Sequence, residues 1–330
     1  MKALVYVGPE KLEYMDHEDP VLTEDHVLVK VLASGICGSD MHGFLGHDER
    51  RPAPLILGHE AAGTIVGGAH DGERVTINPL VECGTCASCK RDQIHLCVNR
   101  QLLSMKPRHG AFAQYVAIPY KNTVQVPDNV SFQEAALTEP LACGWHAVKL
   151  GENALTAPLS DTSCLVIGGG AIGLGIALVL KAKGATNIVV AEPNEKRREV
   201  LSKIGGFRVF DPADEKPESI DLVFDAVGYV GTRAEACRAV RPGGVIVHIG
   251  LGQSEGGIDV RRLTLQEISF IGTYCYTPQD FRDTAQAIFD GVLGSLDWID
   301  IRSLEDGQKA FDDIRSGNAS APKIVLEPWA

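Results

Sequence analysis

Four cysteines that could bind one metal ion lie close together in the chain. Cys83, Cys86, Cys89 and Cys97 have the spacing C-x2-C-x2-C-x7-C. Four thiolates on so short a loop can surround Zn²⁺ as a tetrahedron, and a filled tetrahedron is a structural site because catalysis needs a vacant position. An iron–sulfur cluster is the alternative, since C-x2-C-x2-C spacing also occurs in ferredoxins. The spacing therefore predicts a structural metal lobe at residues 80–100, with zinc as the favoured ion.

A second group of possible metal ligands precedes the first. Cys37 opens a Cys-Gly-Ser-Asp-Met-His segment, and a Gly-His-Glu segment with His59 and Glu60 follows a proline-rich loop. One cysteine, one histidine and one carboxylate can hold zinc and leave a position open for a substrate. Taken alone, a lone cysteine and a lone histidine are more often part of a packed core, so both explanations stay open at this point.

A glycine-rich segment is typical of a loop that binds the phosphates of a dinucleotide. Gly168, Gly170 and Gly173 have the spacing G-x-G-x-x-G, between an apolar run and a helical one. Ile172 lies inside the motif. Gly168 permits a tight turn, Gly170 lets the backbone approach a pyrophosphate, and Gly173 lets helix and strand pack closely. The N–H groups that begin the helix can donate hydrogen bonds to the phosphate.

An acidic residue after the next apolar run bears on the choice of dinucleotide. Glu192 lies 19 positions after Gly173. Its carboxylate can accept hydrogen bonds from the adenine ribose hydroxyls and repel a 2′-phosphate, which favours NAD over NADP. Arg197 and Arg198 follow closely enough to keep NADP as an alternative.

The elements around these residues differ along the chain. In about the first 130 residues, short alternating apolar runs are separated by Gly, Pro and Asp, which predicts a β-rich domain. A Ser-Phe-Gln-Glu capping box at Ser131 predicts a helix, which Pro140 should interrupt or kink. From Ser163 onward, strands alternate with helices, which predicts a parallel sheet covered on both faces. The predicted strands are 164–167, 188–191, 222–227, 245–249 and 323–327, and the predicted helices include 171–183, 194–204 and 306–314.

Composition and charge exclude several classes of protein. The 330 residues are 45% hydrophobic and 22% charged, with a formal net charge of −12. This charge disfavours nucleic acid and anionic membrane as partners, no apolar stretch is long enough for a membrane span, and the N-terminus does not resemble a signal peptide. Nine cysteines, one group of them crowded, favour metal binding in a reducing compartment. We therefore expect a cytoplasmic protein that acts on a small molecule.

Taken in order along the chain, the Cys-x-Ser-Asp segment, the Gly-His-Glu segment, the four-cysteine lobe and the glycine loop resemble the zinc-containing medium-chain alcohol dehydrogenases. The likeness spans essentially the whole chain and implies that Cys37 and His59 bind a catalytic zinc. Where primary alcohol dehydrogenases have a third cysteine ligand, this chain has Thr-Glu-Pro-Leu around Glu139, as in the sorbitol, threonine and butanediol dehydrogenase branch. In that branch Glu60 or Glu139 binds zinc directly, and the sequence does not decide which.

The resemblance also implies a mechanism. The substrate hydroxyl takes the open zinc position, where its pKa falls, and a hydride passes to the nicotinamide of NAD. Ser39 takes the substrate proton, which reaches His42 through the cofactor ribose. Asp40 accepts a hydrogen bond from His59 and fixes the tautomer of that ring.

Two departures from sorbitol dehydrogenases bear on the substrate. Gly43 stands where those enzymes have a tyrosine that contacts the substrate, and Cys275 takes the place of a late arginine. We therefore expect a secondary alcohol that is a polyol, a sugar alcohol or a sugar alcohol phosphate. An L-threonine-type amino alcohol or a vicinal diol is the alternative substrate. A catalytically inactive family member that serves as a binding or structural protein is the alternative outside the enzymes.

The fold that the resemblance implies has two domains. A GroES-like β-rich catalytic domain comprises residues 1–147 and 289–330, and a Rossmann NAD-binding domain, a doubly wound α/β fold, comprises residues 148–288. The active site is expected in a cleft between them, outside the carboxyl ends of the parallel strands. Members of this family commonly pair strands across a dimer interface, so we also expect a homo-oligomer, a dimer or a tetramer.

Overall fold

The computed structural model describes residues 1–330, which form eighteen strands and nine α-helices. The strands are β1 (Lys2–Gly8), β2 (Lys11–Asp16), β3 (His26–Gly35), β4 (Leu55–Ile56), β5 (Glu60–Val66), β6 (Arg74–Ile77), β7 (Leu80–Val81), β8 (Gln101–Leu102), β9 (Tyr115–Pro119), β10 (Thr123–Gln125), β11 (Ser163–Ile167), β12 (Asn187–Ala191), β13 (Arg208–Phe210), β14 (Ile220–Asp225), β15 (Val240–His248), β16 (Ser269–Gly272), β17 (Ile299–Ser303) and β18 (Lys323–Glu327). The helices are α1 (Gly38–Phe44), α2 (Phe132–Ala136), α3 (Thr138–Ala154), α4 (Ala171–Ala182), α5 (Glu195–Ile204), α6 (Val230–Ala239), α7 (Val260–Leu265), α8 (Pro278–Phe289) and α9 (Gly307–Arg315).

The first of two structural units is β-rich and comprises Met1–Pro140, Thr277–Gly291 and Ile299–Ala330. Its largest sheet has the strand order β10-β6-β5-β3-β18-β17, with β9 also paired to β3. Along β3, Val29 and Val31 are buried whereas their neighbours are half-buried, the alternation expected of a strand with one face on the core. Strands β5 and β18 both pair with β3, which lies between them in the sheet.

The second unit comprises Leu141–Tyr276 and Val292–Trp298 and contains a six-stranded, wholly parallel sheet. Its strand order is β13-β12-β11-β14-β15-β16. Numbered within this sheet, the order is 3-2-1-4-5-6, the arrangement of dinucleotide-binding Rossmann folds. The predicted fold class is confirmed: a GroES-like β-rich unit and a doubly wound α/β unit.

Local sequence signals account for several element boundaries. Ser131 forms the predicted capping box with Glu134 at the start of α2, and the Asn194 side chain accepts a hydrogen bond from the Arg197 N–H at the start of α5. Each satisfies a backbone donor that a helix N-terminus leaves unpaired. Strand β18 has the predicted bounds, and the predicted strands and helices of the second unit agree with the structure to within a few residues.

The interruption near Pro140 differs from the prediction. The first helix ends at its C-cap residue Leu137, three residues before the proline, and α3 begins at Thr138. Pro140 therefore lies in the first turn of a new helix, where a missing N–H costs no intrahelical hydrogen bond. The helix break therefore precedes the proline instead of coinciding with it.

Along the sequence, the first unit ends and the second begins inside α3, after Pro140. The domain boundaries proposed from sequence, 147/148 and 288/289, stay a proposal; the two units alternate after Pro140, Tyr276, Gly291 and Trp298. None of the helices has the length and apolar character needed to cross a membrane.

Candidate metal and cofactor sites

Cys37 lies in the short turn between β3 and α1. It is the N-cap residue of α1, and its backbone N–H donates a hydrogen bond of 3.0 Å to Asp40 Oδ2. This reciprocal contact between the cap and the third helical residue fixes the turn. The thiol is half-buried at the end of the central strand of the first unit.

Strand pairing brings the Gly-His-Glu segment to the same place. Strand β5 begins at Glu60 and runs antiparallel to β3, with Gly35 opposite Glu60. The ligand atoms of Cys37, His59 and Glu60 all lie within 4.8 Å of one another. A one-residue slip would turn the side chains of β5 to the other face of the sheet, so the register itself assembles the group.

The buried His59 ring is oriented by two neighbours. Its Nδ1 lies 3.3 Å from Asp40 Oδ1 and 3.4 Å from Ser104 Oγ, so Nδ1–H faces an acceptor and Nε2 remains for a metal. Burial alone lowers the pKa of His59, but the Asp40 carboxylate and the Cys37 thiol raise it well above its ordinary value. Burial likewise works against ionisation of Asp40, yet His59 and Arg51 hold the pKa of that carboxyl below its usual range.

Glu60 has a partner from the far end of the chain. The Nζ of Lys323 lies 2.6 Å from Oε1 and 2.7 Å from Oε2 of Glu60, and it also donates to the Ile36 carbonyl at 2.9 Å. Both side chains are buried. Burial lowers the pKa of Lys323, but Glu60, Cys37 and Glu139 together outweigh it and the pKa is raised. A Cβ at Gly35 would lie 2.1 Å from Glu60 Oε2, so the carboxylate occupies space that only glycine leaves free.

Sequence analysis missed Lys323. The strand that it begins is predicted, but a lysine at a strand end is normally solvent-exposed. Lys323 is instead 5% exposed, because β18 pairs with β3 and so faces the end of β5. No local pattern signals such a contact.

Glu139, the other candidate ligand, is also buried but lies outside the group of mutually close ligand atoms. Its charge contributes to the raised pKa of Lys323, after the larger effects of Glu60 and Cys37. The geometry therefore places Glu60, and not Glu139, in the same close group as Cys37 and His59.

One thiol, one imidazole and one carboxylate in reach of a common point fit Zn²⁺ with a fourth position open, as in catalytic zinc sites. The proposed relay residues lie beside this group on α1. Ser39 is half-buried, its Oγ 3.3 Å from Arg51 Nη2, and His42 is half-buried three residues further along the same helix. Their roles stay a prediction.

The four-cysteine lobe fits one metal ion. The Sγ atoms of Cys83, Cys86, Cys89 and Cys97 all lie within 4.8 Å of one another, and two pairs are 3.5 Å apart. About 3.8 Å separates the sulfurs of a regular tetrahedron with Zn–S bonds of about 2.3 Å, whereas a disulfide requires about 2.05 Å. An iron–sulfur cluster would hold its thiolates further apart, each on its own iron. The backbone N–H groups of Thr85 and Cys86 lower the pKa of Cys83 to about 5, which favours the thiolate that a metal needs.

The glycine loop connects β11 to α4 in the second unit. Gly168 has a φ of +98°, which disfavours other residues, and a Cβ at Gly173 would lie 1.8 Å from the Gly168 carbonyl oxygen. Gly170 is the N-cap of α4, and nothing lies within 4 Å of the position of its missing Cβ. Ile172 is the second residue of the helix. The loop therefore presents open space and helix N–H groups, which suit a dinucleotide phosphate.

Glu192 lies directly after β12, beside this loop. It is 3% exposed, and its carboxylate accepts hydrogen bonds from the N–H groups of Gly169 at 2.9 Å and Asn194 at 2.8 Å. Arg197 Nη1 lies 3.6 Å from Glu192 Oε2. The carboxylate is thus fixed next to the phosphate loop, and the nearby arginine partly offsets its charge.

Each of the two units matches a known protein family. Residues 23–128 match the alcohol dehydrogenase GroES-like domain, and residues 171–290 match the zinc-binding dehydrogenase family. The chain is 30% identical over 350 residues to a sorbitol dehydrogenase of Bacillus subtilis, covering 99% of this chain and 97% of that protein. It is 29% identical over 350 residues to an L-threonine 3-dehydrogenase of Pectobacterium atrosepticum, covering 99% and 94%.

A solved structure agrees as well. A short chain alcohol dehydrogenase from E. coli CFT073, crystallised with NADH, superposes with a TM-score of 0.88 at 26% identity and covers 99% of both chains. The likeness extends across the β-rich and the doubly wound units alike.

Proposed function

We propose, because the chain belongs to the zinc-containing medium-chain alcohol dehydrogenases, that it oxidises a polyol, sugar alcohol or sugar alcohol phosphate at a secondary hydroxyl. Zinc and NAD are its cofactors, and the reaction class is hydride transfer between an alcohol and NAD. The observation that carries the proposal is the buried group of Cys37, His59 and Glu60, which offers three ligands and one open position.

When bound, zinc supplies a Lewis acid that lowers the pKa of a substrate hydroxyl, and NAD supplies the hydride acceptor. The chain's own residues orient these groups and move the proton. Asp40 and Ser104 hold the His59 ring through Nδ1, which leaves Nε2 as the atom for a metal. Ser39 accepts the substrate proton as it passes its own proton on, and His42 delivers that proton to solvent.

Glu60 is the third zinc ligand in this proposal, and Glu139 is a neighbour that does not bind the metal directly. Support comes from the distances, since only the Glu60 carboxylate lies in the group of mutually close ligand atoms. Lys323 compensates the charge of Glu60 before metal binding. One Glu60 oxygen can turn toward zinc while the other keeps its hydrogen bond to the lysine.

NAD rather than NADP is the proposed cofactor because the Glu192 carboxylate is fixed beside the glycine loop. Glu192→Ala should raise the KM for NAD by roughly tenfold, the value of one hydrogen bond to a charged group. The variant should also show a smaller preference for NAD over NADP. Steady-state kinetics with both cofactors measure this change. Unaltered cofactor kinetics would refute the assigned role.

Substrate class is tested by NADH formation at 340 nm over a panel of polyols, sugar alcohol phosphates, vicinal diols and L-threonine. We expect the highest kcat/KM on a polyol or its phosphate. Activity on L-threonine and on no polyol would favour the second candidate, which the likeness to an L-threonine 3-dehydrogenase supports. Zinc-loaded protein that binds NAD but oxidises no compound of any class would instead indicate a member without catalysis.

A cytoplasmic homo-oligomer, a dimer or a tetramer, is the proposed state. Strand β16 is an edge of the parallel sheet, so one side of its backbone has no partner strand, and an unpaired edge is a template for a second chain. Exposed Leu251, Val260 and Leu265 belong to the same unit. Nine free cysteines suit a reducing compartment. Light scattering on the purified chain distinguishes dimer from tetramer, and a monomer at micromolar concentration would exclude both.

A further inference from the structure

A second positive charge, Arg51, is buried close to the proposed zinc ligands. Its side chain is fully shielded from solvent and lies between α1 and the turn at Ser104. The guanidinium donates to Ser39 O at 3.0 Å, Ser39 Oγ at 3.3 Å, Ser104 O at 3.1 Å and Ser104 Oγ at 3.4 Å. It also pairs with Asp48 at 2.7 Å. All of its nitrogens have partners, so it is not a binding site for an anionic substrate.

The choice of partners is informative. Burying a guanidinium is costly unless it is paired, and the pair with Asp48 alone would satisfy its charge. The remaining hydrogen bonds go to the backbone and hydroxyl oxygens of two serines. Ser39 is the proposed proton acceptor, and Ser104 Oγ lies 3.4 Å from His59 Nδ1. Arg51 thus joins the acceptor to the neighbour of a zinc ligand.

Two backbone features accompany this contact. Ser104 has a φ of +66°, a conformation that residues with side chains rarely adopt and that persists only when the surroundings enforce it. A Cβ at Gly43 would lie 2.8 Å from Arg51 Cδ. The guanidinium stem fills the space beside this glycine.

The geometry points to Arg51 as a positioning residue for Ser39 and His59, an inference that rests on the proposed function of Ser39. Arg51 donates to the Ser39 oxygen and so fixes the hydroxyl with its own proton directed away from the guanidinium. In alcohol oxidation the substrate O–H proton moves to Ser39 Oγ as the Ser39 proton leaves toward the relay, while the hydride leaves carbon for NAD⁺. Arg51 keeps its protons throughout, because a guanidinium stays protonated in proteins.

Arg51→Lys is the first test, because lysine keeps the charge but cannot reach two serines at once. We expect kcat to fall by roughly 10- to 100-fold, as for a misplaced reacting group, with KM for the alcohol and zinc content little changed. Arg50→Met is the matched control: Arg50 binds the same Asp48, but its side chain is 61% exposed. The control should keep wild-type kcat. A merely structural Arg51 would lower the melting temperature and leave kcat of the folded enzyme unchanged.

A double-mutant cycle identifies the residue through which Arg51 acts. In a Ser39→Ala background, Arg51→Lys should cause little further loss of kcat, since the group that it positions is gone. Multiplicative losses would overturn the assignment of Ser39 as the group that Arg51 positions. If Arg51→Lys does not fold, Gly43→Ala provides the second route, because its methyl group would displace the Arg51 stem and reproduce the kcat loss.

A measurement without substrate separates this inference from the proposed function. The visible spectrum of the cobalt(II)-substituted protein reports how His59 is held, and Arg51→Lys should change it whereas Arg50→Met should not. A changed spectrum in a chain that oxidises no alcohol would leave the positioning intact and refute the function. An unchanged spectrum together with unchanged kcat would overturn the role of Arg51.

Discussion

The two metal-competent groups of this chain are built in opposite ways. The four-cysteine lobe draws every ligand from residues 83–97, and two of its thiols are half-buried near exposed neighbours. The group of Cys37, His59 and Glu60 takes its ligands from two strand ends and rests on a lysine 263 residues away from Glu60 in sequence. One group depends on local spacing, and the other on the register of a sheet.

This difference separates two tasks. A lobe that saturates its ion needs only four thiolates on one short loop. A site that leaves a position open must instead keep its remaining ligands from rearranging, which requires neighbours such as Asp40, Ser104 and Lys323. Two of these neighbours, Asp40 and Lys323, are buried charges. Their removal should therefore lower the free energy of unfolding as well as kcat.

Cys37→Ser should have the largest effect. We expect kcat to fall by roughly a thousandfold or more, since Lewis-acid stabilisation is worth several kcal/mol and each ~1.4 kcal/mol is tenfold. NAD binding should persist, and metal analysis should show the loss of one zinc while the lobe keeps its own. Unchanged turnover would remove the basis for the open site.

Lys323→Met would break the buried ion pair and leave Glu60 without a partner. A charge stranded in this way costs about 3–5 kcal/mol of unfolding free energy. Urea denaturation of the zinc-depleted protein should show that loss, and Glu60→Gln in the same chain should restore much of it. Lys309→Met, on an exposed position of α9, is the control and should change stability little. Equal effects of the two lysine variants would contradict the account.

Cys86→Ser tests whether the four-cysteine lobe serves stability alone. Loss of the lobe's zinc should lower the melting temperature by roughly 5 °C, or ~2 kcal/mol for a protein of this size, while kcat of the folded enzyme stays close to wild type. Ser88→Ala is the matched control, because its hydroxyl makes no capping hydrogen bond. If Cys86→Ser also lost most of its kcat and the zinc at Cys37 and His59, the open site would depend on the lobe, which would contradict the account.

Asp221, in the second unit, is a carboxylate whose stabilisation does not depend on a metal ion. Burial raises the pKa of Asp221, but hydrogen bonds from Ser163 and Arg241 outweigh it and hold the pKa below its usual range. The stabilisation is therefore present above the unfolded pKa of about 3.9 and is lost as pH falls through the lower folded value.

Asp221→Asn should cost about 1 kcal/mol at pH 7, and the difference from wild type should shrink below about pH 4. Urea denaturation at pH 7, 4 and 3, with and without a chelator, measures it. A difference that grows on acidification, or that depends on zinc, would contradict the assignment.

Much of the molecule could be predicted because its signals are local. Cysteine spacing, the glycine loop, the capping residues Ser131 and Asn194 and the bounds of β18 all follow from neighbouring residues. The contacts of Lys323 with Glu60 and of Arg51 with Ser39 and Ser104 could not, because strand pairing and loop packing create them between distant segments. The proposal that Glu60 rather than Glu139 binds zinc likewise rests on a contact between distant segments, since the β3–β5 register brings Glu60 next to Cys37.

The central claim is an alcohol dehydrogenase with one open and one saturated zinc. The most direct test measures zinc per chain and NADH formation on the best alcohol, before chelation, after it, and after zinc is restored. The account predicts two zinc ions per chain, loss of NADH formation when the more labile ion is removed, and recovery when that ion returns. NADH formation that continues at full rate in chain stripped of both ions would contradict it.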